Sequence, residues 1–366
     1  MAKSGANVRG LRQHNRALLL DEIRRTGGLS RIELAKVTGL TQQAVSKIVP
    51  DLLDAGFLDE ERQPAQGVGK PRTRLTIRGE ARYAIGVQLE RDELRAVRTD
   101  LLGTVRARTG KRLRPGFTPA EAVTAIADCA HELHSGVAGV AGVAGTGALL
   151  GLGVGAAGPL DHVTGVVHHA TKMPGWDRVP LRADLSAKTA LDVVVDKDTN
   201  AAAFAHGWLA GERPRATAVV FVGSGIGVGL LIDGEVYRGP RTNAGEFGHT
   251  TLDYTGPRCA CGRNGCVEVL HNEAVLAGDP ERAADLLGIG LVDLVQVLDL
   301  DRIVLAGRGV RATPSLYTDA IRKRLEASLP LPHWQRIQLD LDEFGDDIVA
   351  AGAAAEVLAK FYADPG

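Results

Sequence analysis

Over the first eighty residues the apolar positions fall at helical spacing, interrupted by glycine and opened by hydroxyl side chains. In HNRALLLDEIRR, residues 14 to 25, apolar side chains at Ala17, Leu18, Leu19, Leu20 and Ile23 supply one buried helical face. After Gly27–Gly28, Ser30 and Glu33 form a capping-box pair ahead of Ile32, Leu34, Ala35 and Val37, which predicts a short second helix ending at Gly39. Thr41 caps a third helix, TQQAVSKIVPDLLDAG, with Val45, Ile48, Val49, Leu52 and Leu53 facing inward and Pro50 placed to kink it. Gln42, Gln43, Ser46 and Lys47 are left outward near its N-terminal end, the end that enters a major groove in a helix-turn-helix. Gln reads adenine bidentately, and Ser and Lys serve bases or phosphates. Phe57 to Glu61 and Thr73 to Ile77 then read as two short strands around a Gly/Pro-rich tip, a wing carrying Lys70, Arg72 and Arg74 toward DNA.

From Ala81 onward the pattern changes to apolar strands, glycine turns and helices. YAIGVQLE and LRAVRTDLLG predict a hairpin, and AEAVTAIADCAHELHSG an amphipathic helix with Cys129 as an inert core thiol. GVAGVAGVAGTGA, residues 136 to 148, reads as a loose loop, and LLGLGVGAAGPLD as a buried strand running into a turn. TALDVVVDKDTNAAAFAHGWLAG predicts a strand, a polar turn and a helix; ATAVVFVGSGIGVGLLIDGEVYRG predicts strands about a glycine turn with a hairpin at Asp233–Gly234. DRIVLAGRG, a following helix and the Ala-rich DDIVAAGAAAEVLAKFYA complete an alternation that implies a layered α/β body. The expected organisation is a winged helix-turn-helix over 1–80 and an α/β body over 81–366, each with its own core.

Charge sharpens this division. The net charge of -1 conceals a basic head, with 14 Lys/Arg against 9 Asp/Glu in residues 1–80, on an acidic body with 29 against 35. A basic head suits a polyanion. No apolar run reaches membrane-spanning length, and MAKSGANVRGLRQHNR lacks the apolar core of a leader. With only four cysteines, three of them bunched, a reducing cytoplasm is the expected compartment.

Those three cysteines lie in GHTTLDYTGPRCACGRNGCVE, where His249, Cys259, Cys261 and Cys266 stand as H-x9-C-x-C-x4-C within the loop 249–266. Thiolates and imidazole make the tetrahedral set that zinc favours, and a set with no vacancy marks a structural site, one ion per chain. A disulfide with a spare thiol, or three reduced thiols without a ligand, are the alternatives.

GPLD, MPGW, DKDTNAAA, GSGIGVGLLIDGEVYRG, NAGEFGHTT and CACGRNGCVE stand in the order found in the ROK family of sugar kinases and transcriptional repressors. The chain resembles that family from about residue 82 to its end, and its head resembles the winged helix of the repressor branch. The resemblance implies a two-lobed, actin-like α/β body. It implies zinc on the positions of His249, Cys259, Cys261 and Cys266, and sugar hydroxyls on those of Glu246, His249 and Glu268. Asp198 matches the family's general base, which in a protein without turnover serves as a hydroxyl acceptor.

Departures from the family refine the expectation. Its kinases carry an Asp-x-Gly-Gly-Thr phosphate turn after the first strand, where this chain reads QLERDE, Gln88 to Glu93, whose acidic side chains repel phosphate. Lys197 and Lys172 stand where the family has sugar-contacting Asn, and the segment from Glu268 to Gly288 is shorter than usual. The two lysines either select an acidic or phosphorylated ligand or pair with Glu246 or Asp198 and close the pocket. No residue is assigned to catalysis. The resulting expectation is a DNA-binding regulator, a repressor, that senses a sugar or sugar-derived ligand and binds an inverted-repeat operator as a homodimer or homotetramer. A sugar kinase with an appended head, and a regulator whose body is only a scaffold, are the other readings.

Overall fold

The computed structural model describes residues 8–62, 73–135, 148–170, 173, 175–209, 215–330 and 333–365. Its head consists of α1 (Val8–Thr26), α2 (Arg31–Thr38), α3 (Gln42–Asp54), β1 (Leu58–Arg62) and β2 (Thr73–Ile77). Ser30 and Glu33 cap α2 reciprocally, Gly39 ends it in the left-handed region, and the Thr41 hydroxyl accepts from the Ala44 N–H at the start of α3. These are the signals legible in the sequence, and they set the helix ends. Pro50 lies on the exposed side of α3, which continues to Asp54. Leu29 bridges to Leu75 and adds a third short element to the wing.

The body opens with β3 (Arg82–Leu89), β4 (Glu93–Asp100) and β5 (Val105–Arg112), followed by α4 (Pro119–Ser135) and β6 (Ala148–Ala156). A small sheet of β7 (Leu160–Asp161), β8 (Val166–His169) and β9 (Asp177–Val179) leads to α5 (Leu181–Thr189) and β10 (Val193–Lys197). Next come α6 (Asp198–Leu209), β11 (Ala216–Val222), β12 (Ile226–Ile232), β13 (Glu235–Val236), α7 (Val267–Leu276) and α8 (Pro280–Leu298). The chain closes with β14 (Arg302–Ala306), α9 (Arg308–Arg311), α10 (Pro314–Ser328), β15 (Gln338–Leu341) and α11 (Ile348–Ala363).

Two five-stranded sheets result, ordered β10-β6-β3-β4-β5 and β13-β12-β11-β14-β15. Each has an antiparallel three-strand meander continued by two parallel strands, so the body is two lobes of one repeated topology. Helices α6 and α11 pass between the lobes and lie against each other. Their contact is backbone to backbone: a Cβ at Gly352 of α11 would overlap the Ala201 carbonyl oxygen, and one at Gly229 of β12 would overlap that of Thr199. Both helices are therefore locked to their neighbours.

Three sequence expectations change. The polar turn between DVVVDK and TNAAA does not exist, because β10 ends at Lys197 and α6 begins at Asp198. Strand β5 was not expected, since its exposed positions are Arg106, Arg108, Gly110 and Arg112 and its half-buried ones include Thr109 and Lys111. That alternation carries little apolar signal. Head and body also do not have separate cores: Leu19, Leu20, Ile23, Val49, Phe57 and Leu75 of the head share one apolar cluster with Ala84, Val194, Val357, Leu358 and Tyr362 of the body. The expected loop at 136–148 lies, but for Ala148, outside the described residues. Cys129 is fully buried, and burial raises its thiol pKa. No helix among the described residues is long and apolar enough to cross a membrane.

Candidate ligand cavity, metal cluster and nucleic-acid face

Between the lobes lies a cavity of about 90 Å³ whose wall includes Lys197, Asp198, Glu246, His249 and Glu268. Five of the six expected ligand residues thus converge although they span 72 positions; the sixth, Lys172, lies outside the described residues. Lys197 and Asp198 arrive by the direct join of β10 to α6, which ends the buried strand at the cavity wall. Glu246 precedes and His249 ends a short 3-10 turn, Phe247–His249, and Glu268 sits in the first turn of α7, two residues after Cys266.

The polar groups are already organised. Lys197 Nζ lies 2.6 Å from Glu246 Oε1 and donates to the Ala244 carbonyl at 2.9 Å. Pairing with Glu246 is therefore what Lys197 does in this structure. Glu268 Oε2 accepts from the Ile226 N–H at 2.9 Å. Asp198 Oδ1 accepts from the Thr199 N–H at 2.7 Å, but burial pushes this carboxyl up to about 6; Lys197 opposes the rise, and Glu246 and Glu90 add to it.

An acid whose pKa is higher folded than unfolded favours the fold most below its unfolded value, and that contribution is lost as the pH climbs through the folded value. Asp198→Asn should therefore stabilise the protein at pH 7.5, by up to about 3 kcal/mol. In urea melts the gain should shrink markedly at pH 5. Equal gains at both pH values would show that Asp198 does not titrate in this window.

Sequence reasoning missed Arg91, although it lies in the QLERDE stretch singled out for lacking glycine. Its guanidinium lines the cavity and donates to the Ser224 carbonyl in the glycine turn opposite. Arg308 pairs with Glu90 at 3.4 Å and Asp92 at 3.6 Å. The turn between β3 and β4 is thus tied to the other lobe by side chains where the kinases bring bare backbone to phosphate.

Beside the cavity, a ring nitrogen of His249 and the Sγ atoms of Cys259, Cys261 and Cys266 all lie within 4.8 Å of one another. Cys261 and Cys266 sulfurs are 3.6 Å apart, as are Cys259 Sγ and His249 Nδ1. A disulfide requires about 2.05 Å. Sulfurs on a tetrahedral zinc at about 2.3 Å stand about 3.8 Å apart. The donor set therefore fits a tetrahedral thiophilic ion. Hydrogen bonds from Cys259 N to Arg263 O and from Gly262 N to Cys259 O close the turn, and Gly265 takes a positive φ where a Cβ would strike Asp253. His162, Asp196 and Glu356 also cluster, but there Arg238 supplies the positive charge, its Nε 2.6 Å from Asp196 and Nη2 2.8 Å from Glu356.

On the head, Gln42, Gln43, Ser46 and Lys47 are all exposed along the first turns of α3. Arg74 instead turns back over the Gly27–Gly28 connection, with Nε close enough to exclude a Cβ at Gly28. Lys70 and Arg72 lie outside the described residues. Head and body meet where Arg24 of α1 stacks 3.8 Å from the Trp208 ring centroid and donates to the Trp208 carbonyl at 2.9 Å. Tyr362 of α11 flanks the same guanidinium at 5.3 Å, and Phe57 meets Phe361 edge-on at 5.1 Å.

Comparison with known proteins gives two family matches: the ROK family over residues 85–282 and the MarR family over 12–67. The chain is 23% identical to the xylose repressor of Caldicellulosiruptor bescii, over 97% of this chain and 98% of that protein. It is also 23% identical to the DNA-binding transcriptional repressor Mlc of Escherichia coli K12, over 94% and 93%. Among solved structures, a ROK family transcriptional regulator described as a homolog of the E. coli MLC protein matches with a TM-score of 0.76 and 21% identity, covering 96% of this chain and 98% of that one.

Proposed function

The chain belongs to the ROK family, whose model spans more than half of it, and on that premise we propose a DNA-binding transcriptional repressor whose body senses a sugar or sugar-derived ligand. Relatives named xylose repressor and DNA-binding transcriptional repressor match it along nearly its whole length, which supports the reading. The observation that carries it is α6, which begins in the cavity at Asp198 and ends against the head at Trp208. At 1.5 Å per residue this is a rod of roughly 16 Å joining the two sites. A ligand that rearranges the lobes moves α6 or α11, and the head moves with them.

Residues 1–80 form the DNA-binding unit in this proposal and residues 81–366 the effector and oligomerisation unit. Lys and Arg neutralise phosphate, while Gln42, Gln43, Ser46 and Lys47 supply base preference. Zinc on His249, Cys259, Cys261 and Cys266 fixes the segment that presents Glu246, His249 and Glu268 to the cavity. Paired heads read an inverted repeat with half-sites about one helical turn, or a multiple, apart. The side-chain ties at Arg91 and Arg308 favour a regulator over a kinase.

Selection from a random duplex library should return such a repeat, and the same preparation should turn over no ATP with hexoses. Gln43→Ala should cost about 1–3 kcal/mol on the selected site and relax preference at particular bases. Unchanged affinity and preference would remove α3 as the reading helix. ATP turnover that vanished in Asp198→Asn would replace the repressor reading with the kinase.

A further inference from the structure

We propose that the cavity selects a sugar acid, an aldonate or uronate whose carboxylate replaces Glu246 as the counter-ion of Lys197. This rests on the ligand-sensing reading above and names the class of ligand.

The two partners of the Lys197–Glu246 bridge differ in freedom. The Lys197 side chain is only 4% exposed and its ammonium is also anchored on the Ala244 carbonyl, whereas the Glu246 side chain is 41% exposed. Glu246 can turn into solvent, but Lys197 cannot follow. A buried ammonium stripped of its anion is strongly disfavoured, so whatever displaces Glu246 must itself be negative.

A neutral sugar meets an obstacle either way. If its hydroxyls pull the Glu246 carboxylate away, Lys197 loses its 2.6 Å ion pair and is left with the Asp198 carboxyl, whose charged form burial disfavours. If the bridge stays, Glu246 keeps its place on the cavity wall with its carboxylate already engaged by Lys197. A carboxylate removes both obstacles, because the charge facing Lys197 is kept and the volume held by Glu246 is released.

The rest of the wall suits the same ligand. Arg91 adds a second cation that forms no ion pair among the described residues and donates to the Ser224 carbonyl. A planar guanidinium matches a carboxylate geometrically. Asp198 and Glu268 remain for the hydroxyls of the polyol. A phosphate ester would bring a second negative charge toward these two carboxyl groups, which favours the monoanion.

Calorimetry on the full chain with D-glucuronate, D-gluconate, D-glucose, D-xylose and glucose 6-phosphate tests this. The sugar acids should bind at least tenfold more tightly than the neutral sugars and the phosphate ester. Lys197→Asn should weaken the acids at least tenfold and tighten a neutral sugar. Glu246→Gln, which removes the competing carboxylate, should have the opposite effect and tighten the acids. This second variant keeps the test decisive if Lys197→Asn fails to fold. A wild-type preference for a neutral sugar or for the phosphate ester overturns the proposal while leaving ligand sensing intact. Acid binding indifferent to both substitutions overturns it as well. No binding of any of the five compounds to wild type or to a folded variant removes the sugar-sensing reading together with it.

Discussion

Replacing Cys266 with serine should strip the body of its metal and abolish the response to ligand while DNA binding survives. Cys266 is fully buried, stands at the N-cap of α7, and lies 3.6 Å from the Cys261 sulfur. A serine hydroxyl is neutral at physiological pH and a poor ligand for a thiophilic ion, so three donors remain where the tetrahedral site needs four. Structural zinc contributes about 10–16 kcal/mol to the folding of isolated fingers. Here part of the loop is held by other contacts, including Phe247 and Val267 in the core of the second lobe, so the loss should be smaller but still several kcal/mol. Glu268 is set by the same turn of α7, and its hydrogen bond to Ile226 would loosen with it. Among the described residues the head's apolar cluster is shared with α11 and includes no residue of this loop, which is why operator binding should persist. Elemental analysis should find one zinc per wild-type chain and less than a tenth of that in the variant. Wild-type protein purified without chelators and holding no zinc would remove the metal assignment.

Trp208→Ala should leave operator affinity within about threefold and erase its dependence on ligand. Coupling between ligand and operator sites typically amounts to about 1–3 kcal/mol, or 5–150-fold in affinity, and it has to pass through whatever joins body to head. Trp208 gives Arg24 a stacking face and a carbonyl acceptor, and it touches Tyr362 at a ring separation of 5.7 Å. Arg24 is itself held by Asp21 at 2.8 Å, so movement at the end of α6 is transmitted to the α1 backbone. Alanine removes the face and trims the edge of the shared apolar cluster on which Trp208 packs, but its buried members remain, so the head stays docked on α11 without following α6. Trp208→Phe, which keeps an aromatic face, should restore much of the response. That rescue separates lost coupling from simple loosening. The comparison to make is the ratio of operator affinities with and without ligand; a wild-type ratio in Trp208→Ala would show that the signal travels elsewhere.

What the sequence determined by itself lies within a few residues of its own signal. The capping box at Ser30 and Glu33, the Thr41 cap, the Asp233–Gly234 hairpin and the four donors of H-x9-C-x-C-x4-C are each set by local backbone geometry and side-chain reach. The outward face of α3 belongs with them, because helical period alone separates Gln43 and Lys47 from Val45 and Ile48. Tertiary structure decided the rest. Lys197 meets Glu246 across 49 residues, and Arg24 meets Trp208 across 184. Neither pairing leaves a mark in spacing, so the sequence alone does not show that Lys197 and Glu246 face each other. The expectation of two separate cores failed for a related reason. Apolar periodicity reports how much surface a segment must bury but is silent about what covers it. Leu19, Phe57 and Tyr362 satisfy one cluster between them, because close packing joins whichever apolar faces the chain topology brings together.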